Sequence, residues 1–172
     1  MRLANLNGLS REQFTATLGA IFEHSPWVAE CAWDARPFVD LSALHAAMCA
    51  CVEARDDPAK LGLIRAHPQL AGKAAMRGEL SASSQREQNA AGLDQCSAQE
   101  LAQLTALGKE YDSRFGFPFI LAVTGHSRQS IIETLAERIG NTRDDEIAEA
   151  LRQIERIALL RLRATIDDCY SP

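Results

Sequence analysis

The sequence predicts an all-α fold, a compact single-domain bundle of about seven or eight helices, and three observations carry that expectation. Of 172 residues, 47% are hydrophobic and 24% charged, with 10 Gly and 6 Pro, a globular balance that suits one core and is short for two. Ala and Leu are the commonest residues and aromatics make up 6%, so intrinsic preference leans to helix and away from sheet. Apolar residues recur at intervals of three and four along most of the chain, and short links divide the periodic stretches. One domain over residues 1–172 is expected.

The elements follow in order. Ser10 and Gln13 have capping-box spacing and open a helix with Phe14, Leu18, Ile21 and Phe22 on one stripe, ending near His24. Ser25-Pro26 reads as N-cap plus first-turn proline of a short helix that Arg36-Pro37 breaks. Asp40 caps a helix carrying Leu41, Leu44, Met48, Cys51 and Val52, and Asp57-Pro58 starts another that must stop before His67-Pro68. The stretch Leu70 to Leu80 stays open. Ser81 looks like an N-cap for a helix to about Ala90, with Gly92 as its C-cap candidate. Ser97-x-x-Glu100 is a second capping box, before Leu101, Leu104, Leu107 and Tyr111 on a helix closed near Gly116. Phe117 to Val123 is strand-like, but its proline and isolation favour a buried extended or short helical segment. Two helices finish the chain, one with Ile131, Leu135 and Ile139, and one from about Thr142 to Asp167 with Ile147, Leu151, Ile154 and Ala158.

A net charge of −5 argues against a surface that neutralises phosphates, so no nucleic-acid partner is expected. No apolar run approaches the roughly 20 residues that span a bilayer, and the first residues lack the apolar stretch of a signal peptide. A soluble, unexported protein is expected, with no membrane partner. Five cysteines, Cys31, Cys49, Cys51, Cys96 and Cys169, include no Cys-x-x-Cys pair, so buried or idle thiols are expected rather than a disulfide framework or a structural zinc site. The histidines show no metal-ligand spacing, so no metal site is read.

Some residues do not fit a plain bundle. On the last helix, successive side chains turn by about 100°, which puts Arg152, Arg156 and Arg163 opposite Ile154 and towards water. Arg161, seven after Ile154 and four after Ile157, lies on the apolar stripe instead. A guanidinium cannot shed its charge, so Arg161 either snorkels, pairs with a structural Glu, or meets an anionic ligand. His67, on a turn before Pro68, either closes the preceding helix or does acid–base work. Ser84, Glu87 and Gln88 share a helix face at i, i+3, i+4, where they either form a capping box or grip a small polar ligand.

Taken together, Glu23-His24-Ser25-Pro26-Trp27, Ala66-His67-Pro68-x-Leu70-Ala71-Gly72-Lys73, Ser84-x-x-Glu87-Gln88-x-x-Ala91-Gly92-Leu93 and Phe115-Gly116-Phe117-Pro118-Phe119-Ile120 resemble the OHCU decarboxylase family. OHCU is 2-oxo-4-hydroxy-4-carboxy-5-ureidoimidazoline, an intermediate of urate breakdown. The resemblance covers nearly the whole chain. It implies an all-helical carboxy-lyase that needs no cofactor, releases CO₂ from OHCU, yields (S)-allantoin, and works as a homodimer. It implies His67 as the catalytic histidine and Glu87 as its acidic partner. Pro68, Ser84, Gln85, Arg86, Gln88 and the backbone of Phe119, Ile120, Leu121, Ala122 and Val123 would bind substrate, and so would Arg161. Gln69 departs from the Asp common in relatives and is read as peripheral. Tyr170-Ser171-Pro172 is not a peroxisomal address, so a cytoplasmic enzyme is expected. A helical ligand-binding adaptor is the alternative, and a thiol-redox enzyme on Cys49-x-Cys51 is the weaker rival.

Overall fold

Helices begin where the sequence supplies side chains for their unsatisfied first-turn donors. Ser10 Oγ accepts the Gln13 N–H at 3.3 Å while Gln13 Oε1 accepts the Ser10 N–H at 3.1 Å. Ser97 and Glu100 reciprocate in the same way at 3.2 and 2.7 Å, and Asp40 Oδ1 accepts from Ala43 N–H at 2.7 Å. Each bond pairs a donor that the first helical turn cannot satisfy internally.

A computed structural model of the chain describes residues 1–70 and 80–166. The interior of the Leu70–Leu80 link and the C-terminal Tyr170-Ser171-Pro172, with Cys169, lie outside the described residues. In order the elements are α1 (Leu3–Asn7), α2 (Arg11–Leu18), α3 (Trp27–Ala32), a 3₁₀ turn (Trp33–Ala35), α4 (Leu41–Glu53), α5 (Asp57–Ala66), α6 (Ala82–Ala90), a 3₁₀ turn (Leu93–Gln95), α7 (Ala98–Phe115), α8 (Arg128–Ile139) and α9 (Arg143–Thr165). The fold is all-α, with no strand among the described residues. Nine α-helices stand there instead of seven or eight because Leu3–Asn7, unforeseen, forms one turn around buried Leu6.

Of the described residues, 1–66 with 155–166 form one compact unit, and 67–70 with 80–154 form another. In the first, α2 packs on α3 and α3 on α4, and Phe14, Leu18, Phe22, Val28, Leu44, Met48 and Leu162 are buried. The helix expected to reach His24 ends at Leu18. Gly19 sits where an added Cβ would lie 2.6 Å from the Thr15 carbonyl and 3.1 Å from Pro26 Cβ, so the chain doubles back against Pro26. His24 then takes the left-handed conformation at φ 49°, and Ile21 and Phe22 stay buried without the helix. Ser25 is not the side-chain cap expected: Pro26 flanks α3, and the Ser25 carbonyl accepts from Val28 N–H at 3.1 Å.

The cysteine expectation also fails in part. Cys31 of α3 and Cys51 of α4 form a disulfide, with Cα atoms 6.1 Å apart. Cysteine counts bear on redox compartment, whereas two thiols pair when packed helices hold their Cα atoms within bonding range. Cys49 and Cys96 are free thiols.

In the second unit, α7 packs on α8, and the Leu93–Gln95 turn packs back on α6. Gly92 at φ 71° and Gly116 at φ 77° end their helices in the left-handed conformation that favours glycine. After Gly116, residues 117–123 form neither helix nor strand, and all but Pro118 are buried. Tyr111 packs edge-on against Phe117 and Phe119, with ring centroids 5.9 and 5.4 Å away.

Candidate functional site

The second unit opens on His67. Helix α5 starts at Asp57, with Asp56 Oδ1 accepting from Ala59 N–H at 3.1 Å, and stops at Ala66 because Pro68 bars helical backbone at the residue before it. His67 is therefore fixed on the bend that follows, and it is buried at 6% exposure. Pro68 beside it is half-buried.

Helix α6 removes one of the two readings of Ser84 and Glu87. Ser81 Oγ accepts from Ser84 N–H at 3.2 Å, which makes Ser81 the cap. Ser84 and Glu87 therefore lie inside the helix, and the capping-box reading of that pair falls away. Ser84 and Gln88 are buried at 4% exposure each, and Glu87, half-buried, shares their face. In a plain bundle, Ala or Leu would fill such positions without the desolvation cost of polar groups. The side chains of Gln85 and Arg86 bond along their own helix, to Asn89 Oδ1 at 2.7 Å and Ser83 Oγ at 3.3 Å.

The segment Phe119–Val123 is tied on part of its backbone. The Ile120 carbonyl accepts from Arg138 NH1 at 2.7 Å, the Ala122 N–H donates to Gln153 Oε1 at 2.9 Å, and the Val123 carbonyl accepts from His126 N–H at 3.0 Å. The N–H groups of Phe119, Leu121 and Val123 meet no protein acceptor among the described residues. Buried backbone donors are nearly always paired, so these three suit a ligand's carbonyl or carboxylate oxygens.

Beneath the segment lies a cluster that the sequence reading missed. Glu146 is fully buried; its Oε1 accepts from Tyr111 Oη at 2.7 Å and Arg138 Nε at 2.6 Å, and its Oε2 accepts from Asn141 Nδ2 at 2.8 Å. Arg138 NH2 also contacts the Glu146 carboxylate, and the guanidinium lies 4.6 Å over the Phe119 ring. Burial, followed by the hydrogen bond to Glu146, pushes the Tyr111 hydroxyl well above its ordinary pKa. A signal for Arg138 was present: it stands seven after Ile131 and three after Leu135, on the apolar stripe of α8, just as Arg161 does on α9.

In the first unit, Arg161 is buried at 6% exposure while Arg152, Arg156 and Arg163 are exposed. Arg161 NH1 donates to Glu23 Oε2 at 2.7 Å and lies 3.4 and 3.3 Å from the carbonyls of Ala20 and Ile21. It holds the turn at which α2 ended early. Among the described residues, no three His, Cys, Asp or Glu side chains gather as metal ligands would.

Against known proteins, the OHCU decarboxylase family model matches residues 7–163. The uric acid degradation bifunctional protein PucL of Bacillus subtilis is 43% identical over 95% of this chain, which spans only 32% of that protein. The chain spans the same share of a second bifunctional relative, from a Bacillus strain, so it is about a third the length of these two. The 2-oxo-4-hydroxy-4-carboxy-5-ureidoimidazoline decarboxylase of Amia calva is 36% identical, with 96% of this chain and 95% of that protein covered. A crystal structure of (S)-allantoin synthase superposes with a TM-score of 0.78 at 29% identity, over 97% of this chain and 54% of that one. An OHCU decarboxylase crystallised with (S)-allantoin shares the fold at a TM-score of 0.63, over 91% of this chain and 97% of that one. By motif, fold and relatives alike, this chain belongs to the OHCU decarboxylase family.

Proposed function

We propose that this protein decarboxylates 2-oxo-4-hydroxy-4-carboxy-5-ureidoimidazoline to (S)-allantoin and CO₂, with His67 and Glu87 as its catalytic pair. The carrying observation is α6: with Ser81 as the cap, the hydroxyl, carboxylate and amide of Ser84, Glu87 and Gln88 have no end-capping duty, and together on one face they match a small polar ligand. The buried His67, on a bend rigidified by Pro68, adds an imidazole, the side chain most often used for acid–base work.

The substrate supplies its own electron sink. When the bond to the carboxylate breaks and CO₂ leaves, the electron pair passes into the ring towards the adjacent imine, whose nitrogen takes a proton. The resulting enol then loses its hydroxyl proton, the carbonyl forms, and the neighbouring carbon gains a proton on one face. The sum consumes one proton per CO₂ released and needs no pyridoxal, thiamine or metal. In this reading His67 moves a proton, and Glu87 orients His67 or holds ring N–H groups. Ser84, Gln85, Arg86, Gln88 and Pro68 would shape the pocket. The N–H groups of Phe119, Leu121 and Val123 would hold substrate oxygens as charge develops. Substrate anchoring by Arg161 is part of the proposal, as are a homodimer and a cytoplasmic setting. Light scattering and cell fractionation test the last two.

The test is CO₂ release from freshly generated OHCU, with His67→Asn beside the wild type. Asn keeps a polar side chain before Pro68 but cannot titrate near neutrality, so turnover should fall by about two to four orders of magnitude. A wild-type rate no faster than spontaneous decay, or a His67→Asn variant at wild-type rate, contradicts the proposal.

A further inference from the structure

We propose that Arg138, aimed by Glu146, is a positioning residue: it sets the Phe119–Val123 backbone whose free N–H groups meet the substrate, an inference that rests on the decarboxylase reading above.

A buried ion pair is weak evidence for stability, because well-packed apolar residues of similar volume often serve the fold as well or better. Arg138 and Glu146 are nevertheless buried together, and the surrounding groups are arranged to hold the carboxylate still. Tyr111 and Asn141 each donate to it, alongside Arg138 Nε. A fixed carboxylate fixes the guanidinium, since the planar fork admits few orientations. The other side of the fork then acts on two successive residues of the segment, through the hydrogen bond to the Ile120 carbonyl and the face laid over the Phe119 ring.

A second tether acts two residues on. Glu149 Oε1 accepts from Gln153 Nε2 at 2.7 Å, and Gln153 Oε1 accepts the Ala122 N–H. The Ile120 carbonyl and the Leu121 N–H belong to one planar trans peptide, so holding that carbonyl on Arg138, with the next peptide held through the Ala122 N–H, sets where the Leu121 N–H points. A lysine at 138 would retain the charge but could not grip Glu146 and Ile120 together. A displacement of about 1 Å at a catalytic contact can cost on the order of 100-fold in rate.

The experiment measures melting temperature, kcat and KM for OHCU, and the enantiomeric purity of the allantoin formed, for wild type, Arg138→Lys and the double variant Arg138→Met/Glu146→Leu. The double variant removes both charges at once, so it leaves no buried unpaired ion. Expected is a melting temperature near wild type with kcat/KM down by about 100-fold, mainly through KM, and partly racemic product. Arg138→Lys should lose at least about tenfold and fail to rescue. A folded double variant with kcat/KM within about twofold of wild type overturns the inference. If the double variant does not fold, Arg138→Lys decides alone, and wild-type kinetics there overturn the inference equally. An inactive wild type overturns the decarboxylase reading and this inference with it, whereas an active wild type with unimpaired variants overturns only the positioning role.

Discussion

Arg161 and Glu23 face each other 2.7 Å apart, both nearly inaccessible to solvent, although 138 residues separate them in sequence. The pair joins the last helix to the turn in which α2 breaks at Gly19 and the chain reverses at His24. Removing one partner of a buried ion pair typically costs about 3–5 kcal/mol. Glu23→Ala should therefore lower the melting temperature by roughly 10 °C, at about 2–4 °C per kcal/mol for a chain of this size. Calorimetry checks this, and an unchanged melting temperature contradicts the structural role.

Ser81 and Glu87 should separate cleanly. Ser81→Ala removes the cap of α6 and should cost about 1 kcal/mol of stability with turnover nearly intact. Glu87→Gln keeps shape and one acceptor, so it should melt like wild type while losing turnover heavily. Denaturation and kinetics of both variants check the assignment, and a Glu87→Gln variant that melts early yet turns over normally contradicts it.

How much of this was legible in the sequence depends on what each signal measures. Caps are local, and Ser10, Asp40, Ser81 and Ser97 all cap as read. Periodicity placed Arg161 inward and Arg152, Arg156 and Arg163 outward. It failed for α2 because a stripe of apolar spacing continues through Ile21 and Phe22 whether or not the backbone stays helical, and the reversal depends on Gly19 meeting Pro26. It also missed Glu146, because the last stripe was traced through apolar residues such as Ile147, which is only half-buried, while the helix buries Glu146 and Ala150. The residues proposed for the site stood out in the sequence as motifs, whereas the buried Arg138–Glu146 pair, which bonds the Ile120 carbonyl, is a tertiary fact that only the charged residue on an apolar stripe of α8 betrayed.

The cysteines offer a chemical check. Burial, then the negative charges of Glu155 and Glu53, push the Cys49 thiol up to about 12, so almost none is thiolate at pH 8 and alkylation there should be slow. Cys31 and Cys51 should resist alkylation in the native protein and in denaturant alike until a reductant is added. Mass spectrometry of labelled peptides checks both, and labelling of Cys31 without reductant contradicts the disulfide.

The start of α7 should be acid-sensitive. Hydrogen bonds from the Ser97 backbone and from Arg128 hold the Glu100 carboxyl below its ordinary value. The folded state thus favours the ionised form. Its contribution is present above the unfolded carboxylate pKa and is lost as pH falls through the lower folded value. Glu100→Gln should therefore be less stable than wild type at neutral pH, and the difference should vanish in strong acid. Urea titrations across pH check this, and a gap between the two that grows on acidification contradicts it.

Stereospecific decarboxylation can be followed by circular dichroism of freshly generated OHCU with and without the protein. Spontaneous decay gives racemic allantoin and no final signal. With the protein, substrate should be lost faster and leave a lasting signal of the (S) enantiomer, undiminished by exhaustive chelation. An optically silent product at the spontaneous rate would contradict it.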